Sequence, residues 1–517
     1  MKLFSSPLVV AAYASLASAD ISPIVVKGNK FFYKDGAQFF MKGVAYQQDT
    51  GAAAAAGTGI ATKYIDPLAD EKLCKRDVPL LKELGTNTIR TYAIDPDSNH
   101  DACMKLLEEA GIYVVADLGE PQLSINREEP HWDTPLFERY KKVVDALSKY
   151  DNVLGYFAGN EVTNSVNNTA ASAFVKAAIR DTKKYIKEKH SSRWIGVGYA
   201  SNDDEEIRVQ IANYFNCDSE EESADFWGYN IYSWCGESTM QKSGYDDQAD
   251  FYRNYSIPVF FAEYGCNDPG GAEGRKFQDA EVLYKKQMTD VFSGGIVYMY
   301  FQEDNDYGLV EVKNGKANKM KNFHALKKAV TDAKPQGLKS ASDASSSLSM
   351  AQCPTLNKKW KASKDLPPVP NKDLCECMVK SRSCVPKDNV SSTRYGGIFD
   401  FICSKSGDNL CAGISGNATS GQYGAYSMCD DTSKLAFAMD AYYQKQGGKS
   451  CSFDGAGKTQ DAEESSTCKD MLKKAKEAPG PSNKSVEEQD SGVSSMASVG
   501  WAVSIGAAAV HLFGIGF

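Results

Sequence analysis

Eight short apolar runs, rich in β-branched and aromatic residues, alternate with amphipathic stretches between about residues 20 and 335. Strands that alternate with helices form a parallel sheet, and eight β-α units in a segment of this length fit a (β/α)8 TIM barrel. An open doubly wound sheet is the alternative, but no glycine-rich phosphate-binding turn follows the first run. The runs are Phe39 to Tyr46, Thr86 to Tyr92, Ile112 to Asp117, Val153 to Glu161, Trp194 to Tyr199, Phe226 to Tyr232, Pro258 to Glu263 and Gly295 to Phe301.

Two of the intervening segments carry helix signals. The segment from Asp77 to Gly85 contains a candidate N-cap, an early proline, an apolar stripe and a terminal glycine, so we expect a helix that begins at Asp77. The last amphipathic stretch before residue 335 has four apolar residues on one helical face: Met320, Phe323, Leu326 and Val330. We therefore predict an α/β barrel domain over residues 20–335.

A serine-rich stretch, Ser340 to Ser349, ends this pattern, and we interpret residues 336–352 as a linker. Eight of the fourteen cysteines follow: Cys375, Cys377, Cys384, Cys403, Cys411, Cys429, Cys451 and Cys468. Such a density favours an oxidising compartment and predicts a small disulfide-rich domain at residues 353–470, although spacing does not select the pairing. Zinc binding is disfavoured because the Cys375-x-Cys377 spacing does not suit a metal and only His511 follows.

Both ends of the chain carry targeting patterns. Residues 1–19 contain a basic residue, an apolar run and a small-x-small ending, which predicts a cleaved signal peptide. A charged tether at 471–490 precedes small residues and an apolar tail, which predicts a GPI-attachment signal at 491–517. A C-terminal membrane helix is the alternative, but the tail is short for a bilayer span and no basic cluster follows. The candidate attachment residues are Asp490, Ser491 and Gly492.

Composition narrows the classes of partner. The net charge of −9 argues against a dedicated nucleic-acid binder. The five histidines are scattered, so the sequence predicts no metal site and implies no cofactor. Five Asn-x-Ser/Thr sequons are consistent with a secreted glycoprotein: Asn167, Asn254, Asn389, Asn417 and Asn483.

Two glutamates close predicted strands at the barrel end where active sites are built. Glu161 follows Asn160 at the end of the fourth run, and Glu263 ends the seventh. Glycoside cleavage needs such a pair, since one carboxylic acid protonates the leaving oxygen while a carboxylate opposite stabilises or captures the oxocarbenium-like centre. Aromatic residues near other strand ends fit a sugar site, because flat rings stack on pyranoses: Tyr92, Tyr232 and Tyr298, with Trp234 just beyond.

Five segments of the barrel region, in chain order, carry a family resemblance: Arg90 to Tyr92, Ser124 to Pro130, Phe157 to Val162, Gly228 to Gly236 and Phe260 to Asn267. They are similar to segments of the fungal cell-wall β-1,3-glucanosyltransferases, glycoside hydrolase family 72. The two glutamates also match the wider clan of barrel glycosidases that retain anomeric configuration. The cysteine-rich segment resembles the family 43 carbohydrate-binding module that accompanies one branch of these enzymes, which implies a small, mostly helical domain.

The resemblance implies that Glu161 is the general acid/base and Glu263 the nucleophile. It also implies that Asn160 hydrogen-bonds the sugar 2-hydroxyl, that Tyr232 orients Glu263, and that a further set lines the donor and acceptor sugar sites: Gln47, Tyr92, Asp117, Asn160, Tyr232, Tyr298 and Tyr307. The same resemblance implies three disulfides, of which the last ties the linker to the barrel: Cys74 to Cys103, Cys235 to Cys266, and Cys217 to Cys353.

The expected function is that of a retaining 1,3-β-glucanosyltransferase. Such an enzyme cleaves an internal β-1,3 linkage and joins the new reducing end to the non-reducing end of a second chain. The choice of transfer over hydrolysis rests on the resemblance alone, so a retaining endo-β-1,3-glucanase is the nearest alternative. A catalytically silent glucan-binding wall protein is another, and the presence of both glutamates argues against it.

The resemblance and the terminal signals together imply the partners and the location. The expected partners are β-1,3-glucan donor and acceptor chains and a membrane reached through a GPI lipid, without nucleic acid. We expect a monomer on the outer face of the plasma membrane and in the cell wall.

Overall fold

The computed structural model describes residues 21–48, 64–345, 347–404, 409–463 and 465–477. The predicted signal peptide and anchor signal, with Asn483, Asp490, Ser491 and Gly492, lie outside these described residues. Within the described ranges, no helix is both long enough and apolar enough to cross a bilayer.

Eight parallel strands close into a barrel, which confirms the predicted architecture. Each barrel strand pairs with the one before it, and the last pairs with the first. A short antiparallel hairpin, β1 (Val25–Lys27) and β2 (Lys30–Phe32), precedes them. The barrel strands are β3 (Met41–Ala45), β4 (Thr88–Thr91), β5 (Tyr113–Asp117), β6 (Val153–Asn160), β7 (Gly196–Ser201), β8 (Trp227–Ile231), β9 (Val259–Tyr264) and β10 (Phe292–Val297).

Helices surround the barrel, and a hairpin of β11 (Val310–Lys313) and β12 (Lys316–Lys319) follows the last barrel strand. The principal helices are α1 (Glu71–Glu83), α2 (Asp101–Glu109), α3 (Thr134–Leu147), α4 (Ser172–Lys189), α5 (Arg208–Tyr214), α6 (Met240–Ser243), α7 (Tyr245–Tyr252), α8 (Gly271–Gly274), α9 (Gln278–Leu283), α10 (Lys286–Thr289) and α11 (Lys321–Asp332). The last of these buries Phe323, Leu326 and Val330, as their spacing predicts.

The prediction that α1 begins at Asp77 is wrong. The helix starts at Glu71, and the Asp70 side chain caps it by accepting two N–H groups of the first turn. Asp77 lies inside the helix and is buried, because its carboxylate accepts hydrogen bonds from the hydroxyls of Tyr46 and Tyr300, each at 2.9 Å. Its Asp-x-Pro pattern resembles a helix start, whereas the residue is a buried acceptor for two tyrosines that follow β3 and β10.

The β1–β2 hairpin, which the sequence analysis did not predict, closes the N-terminal end of the barrel. The buried ring of Phe31 lies between 6.1 and 6.3 Å from the ring centroids of Trp194, Phe226 and Phe260. Aromatic pairs at such separations contribute stability beyond the area that they bury. The opposite end of the barrel, where strands end at their carboxyl side, is left for the site.

The cysteine-rich segment forms a mostly helical domain, as predicted. Its helices are α12 (Lys372–Lys380), α13 (Tyr395–Phe399), α14 (Asp431–Lys445) and α15 (Ser466–Glu477). Two small sheets join β13 (Cys384–Pro386) to β16 (Gly457–Thr459), and β14 (Gly416–Asn417) to β15 (Gln422–Tyr423). Four disulfides cross this domain: Cys375–Cys429, Cys377–Cys468, Cys384–Cys451 and Cys403–Cys411.

This domain packs directly on the barrel. The Cys217–Cys353 disulfide ties the end of the linker to the segment after α5, which is the pairing that the resemblance implies. Trp360 is fully buried, and its ring lies 5.1 Å from that of Tyr214 in α5. The Thr134 N–H at the start of α3 also donates to the Met428 carbonyl at 3.0 Å. The serine-rich stretch is therefore fixed at its far end and does not act as a free hinge.

Candidate active site

Glu263 lies at the carboxyl end of β9 with only 2% of its surface exposed. The Tyr92 hydroxyl donates to its Oε1 at 2.8 Å, and Arg90 Nη1 donates to the same oxygen at 3.2 Å. The Tyr232 hydroxyl donates to Oε2 at 2.8 Å. Both carboxylate oxygens are thus held in place by donors, and this fixes the orientation of the carboxylate.

Arg90 links the groups around Glu263, although the sequence analysis did not assign it a role. It is fully buried in β4, where it pairs with both oxygens of Asp117 at 3.0 Å and donates to Asn160 Oδ1 at 2.9 Å. Its guanidinium lies 4.3 Å from the ring centroid of Tyr92 and 4.5 Å from that of Phe157. A charged residue inside an apolar barrel strand is the sequence signal that could have identified it.

Asp117, predicted to line a sugar site, ends β5 and is the partner of that guanidinium. Burial raises the pKa of Asp117, while the neighbouring charge of Arg90 acts in the opposite direction. The carboxylate is therefore part of a buried ion pair, whose bidentate geometry fixes the Arg90 side chain for its contacts with Glu263 and Asn160.

Glu161 follows the last residue of β6 and faces a different environment. Asn230 Nδ2, from β8, donates to its Oε1 at 2.7 Å. Burial, with the nearby charge of Glu263 adding to it, raises the pKa of Glu161 to about 7. A carboxyl with such a pKa is protonated in mildly acidic solution and can donate its proton to a leaving group.

The backbone of Glu161 adopts a left-handed conformation, with φ of 48°. Such a conformation is costly for a residue with a side chain and persists where the surroundings impose it. Here the Glu161 N–H donates to the Ala200 carbonyl at 2.8 Å, and Arg127 Nη2 donates to the Glu161 carbonyl at 2.7 Å. Arg127 belongs to a segment on which the family resemblance rests, but its contact with Glu161 was not foreseen.

Four tyrosines, Tyr92, Tyr232, Tyr298 and Tyr307, form a group beside Glu263 that we call the tyrosine cluster. The Tyr298 and Tyr307 rings lie 5.4 Å apart, and Tyr232 lies 5.7 Å from Tyr307 and 6.4 Å from Tyr298. Tyr92 is 6.4 Å from Tyr298. The structure therefore brings together all four tyrosines that the sequence analysis assigned to sugar binding.

Gln47 and Asn160 also lie at this end of the barrel. Gln47 Oε1 accepts the N–H groups of Tyr92 and Ala93 at 3.0 and 3.1 Å, so this side chain supports the chain where β4 ends. Asn160 Oδ1 accepts from Arg90 and, at 3.1 Å, from Asn230 Nδ2. Asn230 thus contacts both Asn160 and Glu161, a role that sequence reasoning missed.

The disulfide between Cys235 and Cys266 joins the loops that follow β8 and β9, with a Cα–Cα distance of 5.1 Å. Tyr232 follows β8 and Glu263 lies in β9, so the bridge ties together the loops that follow these two residues. Cys74 pairs with Cys103, as the resemblance implies. In the part of the chain that the structure describes, no cluster of three or more His, Cys, Asp or Glu side chains could hold a metal ion.

Comparison with known proteins gives two family matches. Residues 13–334 match the family described as glucanosyltransferase, and residues 382–458 match the X8 domain. A 1,3-beta-glucanosyltransferase of Arthroderma benhamiae is 51% identical over 482 residues, which cover 89% of this chain and 87% of that protein. The 1,3-beta-glucanosyltransferase gas1 of Schizosaccharomyces pombe is 41% identical, covering 88% and 82%.

Solved structures agree with this relationship. Gas2p of Saccharomyces cerevisiae, in complex with laminaritriose and laminaritetraose, is 42% identical and has a TM-score of 0.77. The match covers 85% of this chain and 97% of the Gas2p chain, so it includes both the barrel and most of the cysteine-rich domain. This chain therefore belongs to the glucanosyltransferase family, glycoside hydrolase family 72, and carries a C-terminal X8 domain.

Proposed function

We propose that this chain is a 1,3-β-glucanosyltransferase that elongates β-1,3-glucan by a retaining double displacement. The observation that carries the proposal is the contrast between two carboxyl groups at one end of the barrel. Glu161 has a pKa raised to about 7, whereas Glu263 has both oxygens held by Tyr92, Tyr232 and Arg90. One group is suited to donate a proton and the other to attack.

In the first step, a Glu263 oxygen attacks the anomeric carbon of an internal glucose unit. The glycosidic C–O bond breaks as Glu161 gives its proton to the departing oxygen, and the chain beyond the cleaved bond leaves. The product is an ester between Glu263 and the new reducing end, with Glu161 now a carboxylate. Asn160, held by Arg90 and Asn230, is positioned to bind the sugar 2-hydroxyl, a contact that strengthens in the transition state.

In the second step, Glu161 acts as a base and takes the proton of the 3-hydroxyl at the non-reducing end of a second glucan chain. That oxygen attacks the anomeric carbon, the ester bond breaks, and Glu263 returns to its carboxylate form. A new β-1,3 linkage results, and two inversions leave the configuration unchanged. Glu161 ends the cycle protonated, as it began.

Transfer requires that a sugar hydroxyl reaches the ester before water does. Water is small and abundant, so the enzyme must hold the acceptor in attack geometry, which lowers the barrier by several kcal/mol. The tyrosine cluster beside Glu263 offers ring faces for that purpose. The seven sugar-site residues of the sequence analysis remain our proposed contacts for donor and acceptor.

We further propose that the protein is secreted, is glycosylated and is held by a GPI lipid on the outer face of the plasma membrane and in the cell wall. All fourteen cysteines are paired, which supports an oxidising compartment. Four candidate glycosylation sites are exposed: Asn167, Asn254, Asn389 and Asn417. The terminal sequence patterns support the signal peptide and the anchor. A monomeric state and the barrel limits 20–335 stay part of this proposal. The cysteine-rich domain extends beyond the predicted limit of 470 into the expected tether, because α15 continues to Glu477 and buries Leu472 and Ala475.

The test uses a secreted form that ends before Ser491, incubated with a reducing-end-labelled linear β-1,3-glucan oligosaccharide and resolved by product length. Products longer than the substrate are expected. Only shorter products would identify an endo-β-1,3-glucanase, and an unchanged substrate would contradict the enzymatic function and favour the glucan-binding alternative.

Substitutions test the roles proposed for the two glutamates. Glu161→Gln and Glu263→Gln should each abolish transfer, whereas Glu188→Gln, at an exposed glutamate of α4, should leave transfer unchanged. Substantial transfer in either of the first two variants would remove that glutamate from its role.

A further inference from the structure

Arg275 binds the backbone that carries two members of the tyrosine cluster. Its Nη1 donates to the Tyr298 carbonyl at 2.6 Å, and its Nη2 donates to the Tyr307 carbonyl. Longer contacts run from Nη1 to the Gly265 carbonyl at 3.4 Å and from Nη2 to the Gly308 carbonyl at 3.3 Å. One guanidinium thus joins the end of β9, the chain after β10 and the loop that contains Tyr307.

This guanidinium is a buried charge, with 6% of the residue exposed. Burial lowers the pKa of Arg275 to about 10, and the nearby Asp279 opposes that shift, so the side chain remains cationic at neutral pH. Burial also raises the pKa of Asp279 to about 6. Burial of a charge costs free energy unless hydrogen-bond acceptors surround the charge. Four backbone carbonyls surround this guanidinium, and we infer that its role is to fix their positions.

The loop that contains Tyr307 is also held from other directions. Asn267 Nδ2 donates to the Asp306 carbonyl at 2.9 Å and to the Asn305 carbonyl at 3.3 Å. Asn322 Nδ2, from α11, donates to the Gly308 carbonyl at 2.8 Å. Arg275 differs from these two asparagines because it contacts the backbone of Tyr298 as well.

The guanidinium also lies beneath an aromatic ring of the cluster. Its Cζ is 5.8 Å from the ring centroid of Tyr307 and 4.9 Å from that of Phe277. The rings of Tyr298 and Tyr307 are 5.4 Å apart, in an edge-on arrangement. One side chain therefore holds the backbones of both tyrosines at once, and its hydrogen bonds include none to Glu161 or Glu263.

Ring position matters more for a sugar acceptor than for water. An acceptor hydroxyl attacks only when the sugar that bears it is held in one orientation, and misplacement of about 1 Å can reduce a rate by up to about a hundredfold. Water reaches the glycosyl-enzyme without an aromatic surface to hold it. A change that loosens Tyr298 and Tyr307 should therefore lower transfer more than hydrolysis.

We propose that Arg275 is a positioning residue for sugar transfer, which holds Tyr298 and Tyr307 in the geometry that an acceptor glucan needs. This inference rests on the proposed glucanosyltransferase function. In this proposal Arg275 influences whether the glycosyl-enzyme reacts with a sugar acceptor or with water. It takes no part in the proton transfers of either step.

The experiment measures longer and shorter products from a labelled β-1,3-glucan oligosaccharide, at several acceptor concentrations, for Arg275→Gln and Arg275→Lys. For Arg275→Gln we expect the ratio of transfer to hydrolysis to fall on the order of tenfold, with a higher acceptor KM and a smaller change in total bond cleavage. Arg275→Lys, which keeps the charge and three donors, should recover part of the ratio. The matched control is Arg253→Gln, at an exposed arginine of the barrel surface.

A second variant keeps the inference testable if Arg275→Gln does not fold. Asn267→Ala loosens the same loop without removing a buried charge, so the ratio should fall in the same direction but less. If the folded variants at Arg275 and Asn267 keep the wild-type ratio, or lose transfer and hydrolysis equally, the inference is wrong. Absence of longer products from the wild-type protein would instead overturn the proposed function itself.

Discussion

The Tyr232 hydroxyl donates to Oε2 of Glu263 at 2.8 Å, on the side of the carboxylate opposite the Tyr92 contact. Tyr232 is half-buried, and burial together with the charge of Glu263 raises its pKa well above the ordinary value for tyrosine. The phenol is therefore a permanent donor across the working pH range. It orients the Glu263 carboxylate, our proposed nucleophile, before any substrate arrives, so the protein need not reorganise the group during the reaction.

Removal of this donor should slow the reaction without unfolding the protein. For Tyr232→Phe we expect the rate of glycosyl-enzyme formation to fall on the order of tenfold to a hundredfold, as for the loss of one preorganised contact. The measurement is the initial rate of bond cleavage at saturating oligosaccharide. Tyr185→Phe is the matched control, because the Tyr185 hydroxyl also contacts a carboxylate, Asp145, at 2.9 Å on the outer helices. Equal rates for both variants would contradict the orienting role.

Tyr307 came only from the family resemblance, whereas the sequence itself was sufficient to identify the barrel, the two glutamates and the other three tyrosines of the cluster. Each of these has a local signature, since a strand reads as an apolar run and a charged or aromatic residue at its end is visible in the chain itself. The roles of Arg90, Arg127, Asn230 and Arg275 were not foreseen, because each acts through partners more than thirty positions away or through a backbone carbonyl.

The error at Asp77 has a related cause. An aspartate before a proline is a frequent helix start, and only the tertiary contacts with Tyr46 and Tyr300 explain why it lies within α1. The β1–β2 hairpin was missed for another reason: its strands have three residues each, too few to show a period in the sequence.

The pKa of Glu161 should set the alkaline limit of the first step. The carboxyl must be protonated to assist leaving-group departure, so the cleavage rate should fall about tenfold per pH unit above about pH 7. Asn230→Ala removes a hydrogen bond that favours the charged form of Glu161, so this limit should move to higher pH. The pH profile of initial cleavage rates, with Asn318→Ala at an exposed position of β12 as control, tests both statements. An unchanged limit in Asn230→Ala would contradict the assignment.

The same carboxyl should make the folded state less stable as pH rises. Its folded pKa of about 7 lies above the ordinary value of 4.5, so between these values the folded protein keeps a proton that the unfolded chain has lost. The contribution of Glu161 to the free energy of unfolding is therefore greatest below about pH 4.5 and decreases as the pH rises to about 7. Glu161→Gln removes the dependence, so its Tm should exceed that of the wild type on the order of 1–3 °C at pH 8 and match it at pH 4. Thermal unfolding followed by circular dichroism at the two pH values measures this, and a variant less stable at pH 8 than the wild type would refute it.

The buried pair of Arg90 and Asp117 should be the most sensitive ionic contact of the barrel interior. Arg90→Leu leaves the Asp117 carboxylate buried without its bidentate partner, and we expect a loss of about 3–5 kcal/mol in the free energy of unfolding. Arg90→Leu combined with Asp117→Asn removes the unpaired charge and should recover part of that loss, so the two changes should not be additive. Urea unfolding of the single and double variants gives the coupling free energy between the two residues.

The control is Arg253→Leu, which breaks only an exposed pair with Asp250 and should change the free energy of unfolding by less than about 1 kcal/mol. Additive effects at Arg90 and Asp117 would show that the pair contributes no coupling and that Arg90 serves the site through Glu263 and Asn160 alone.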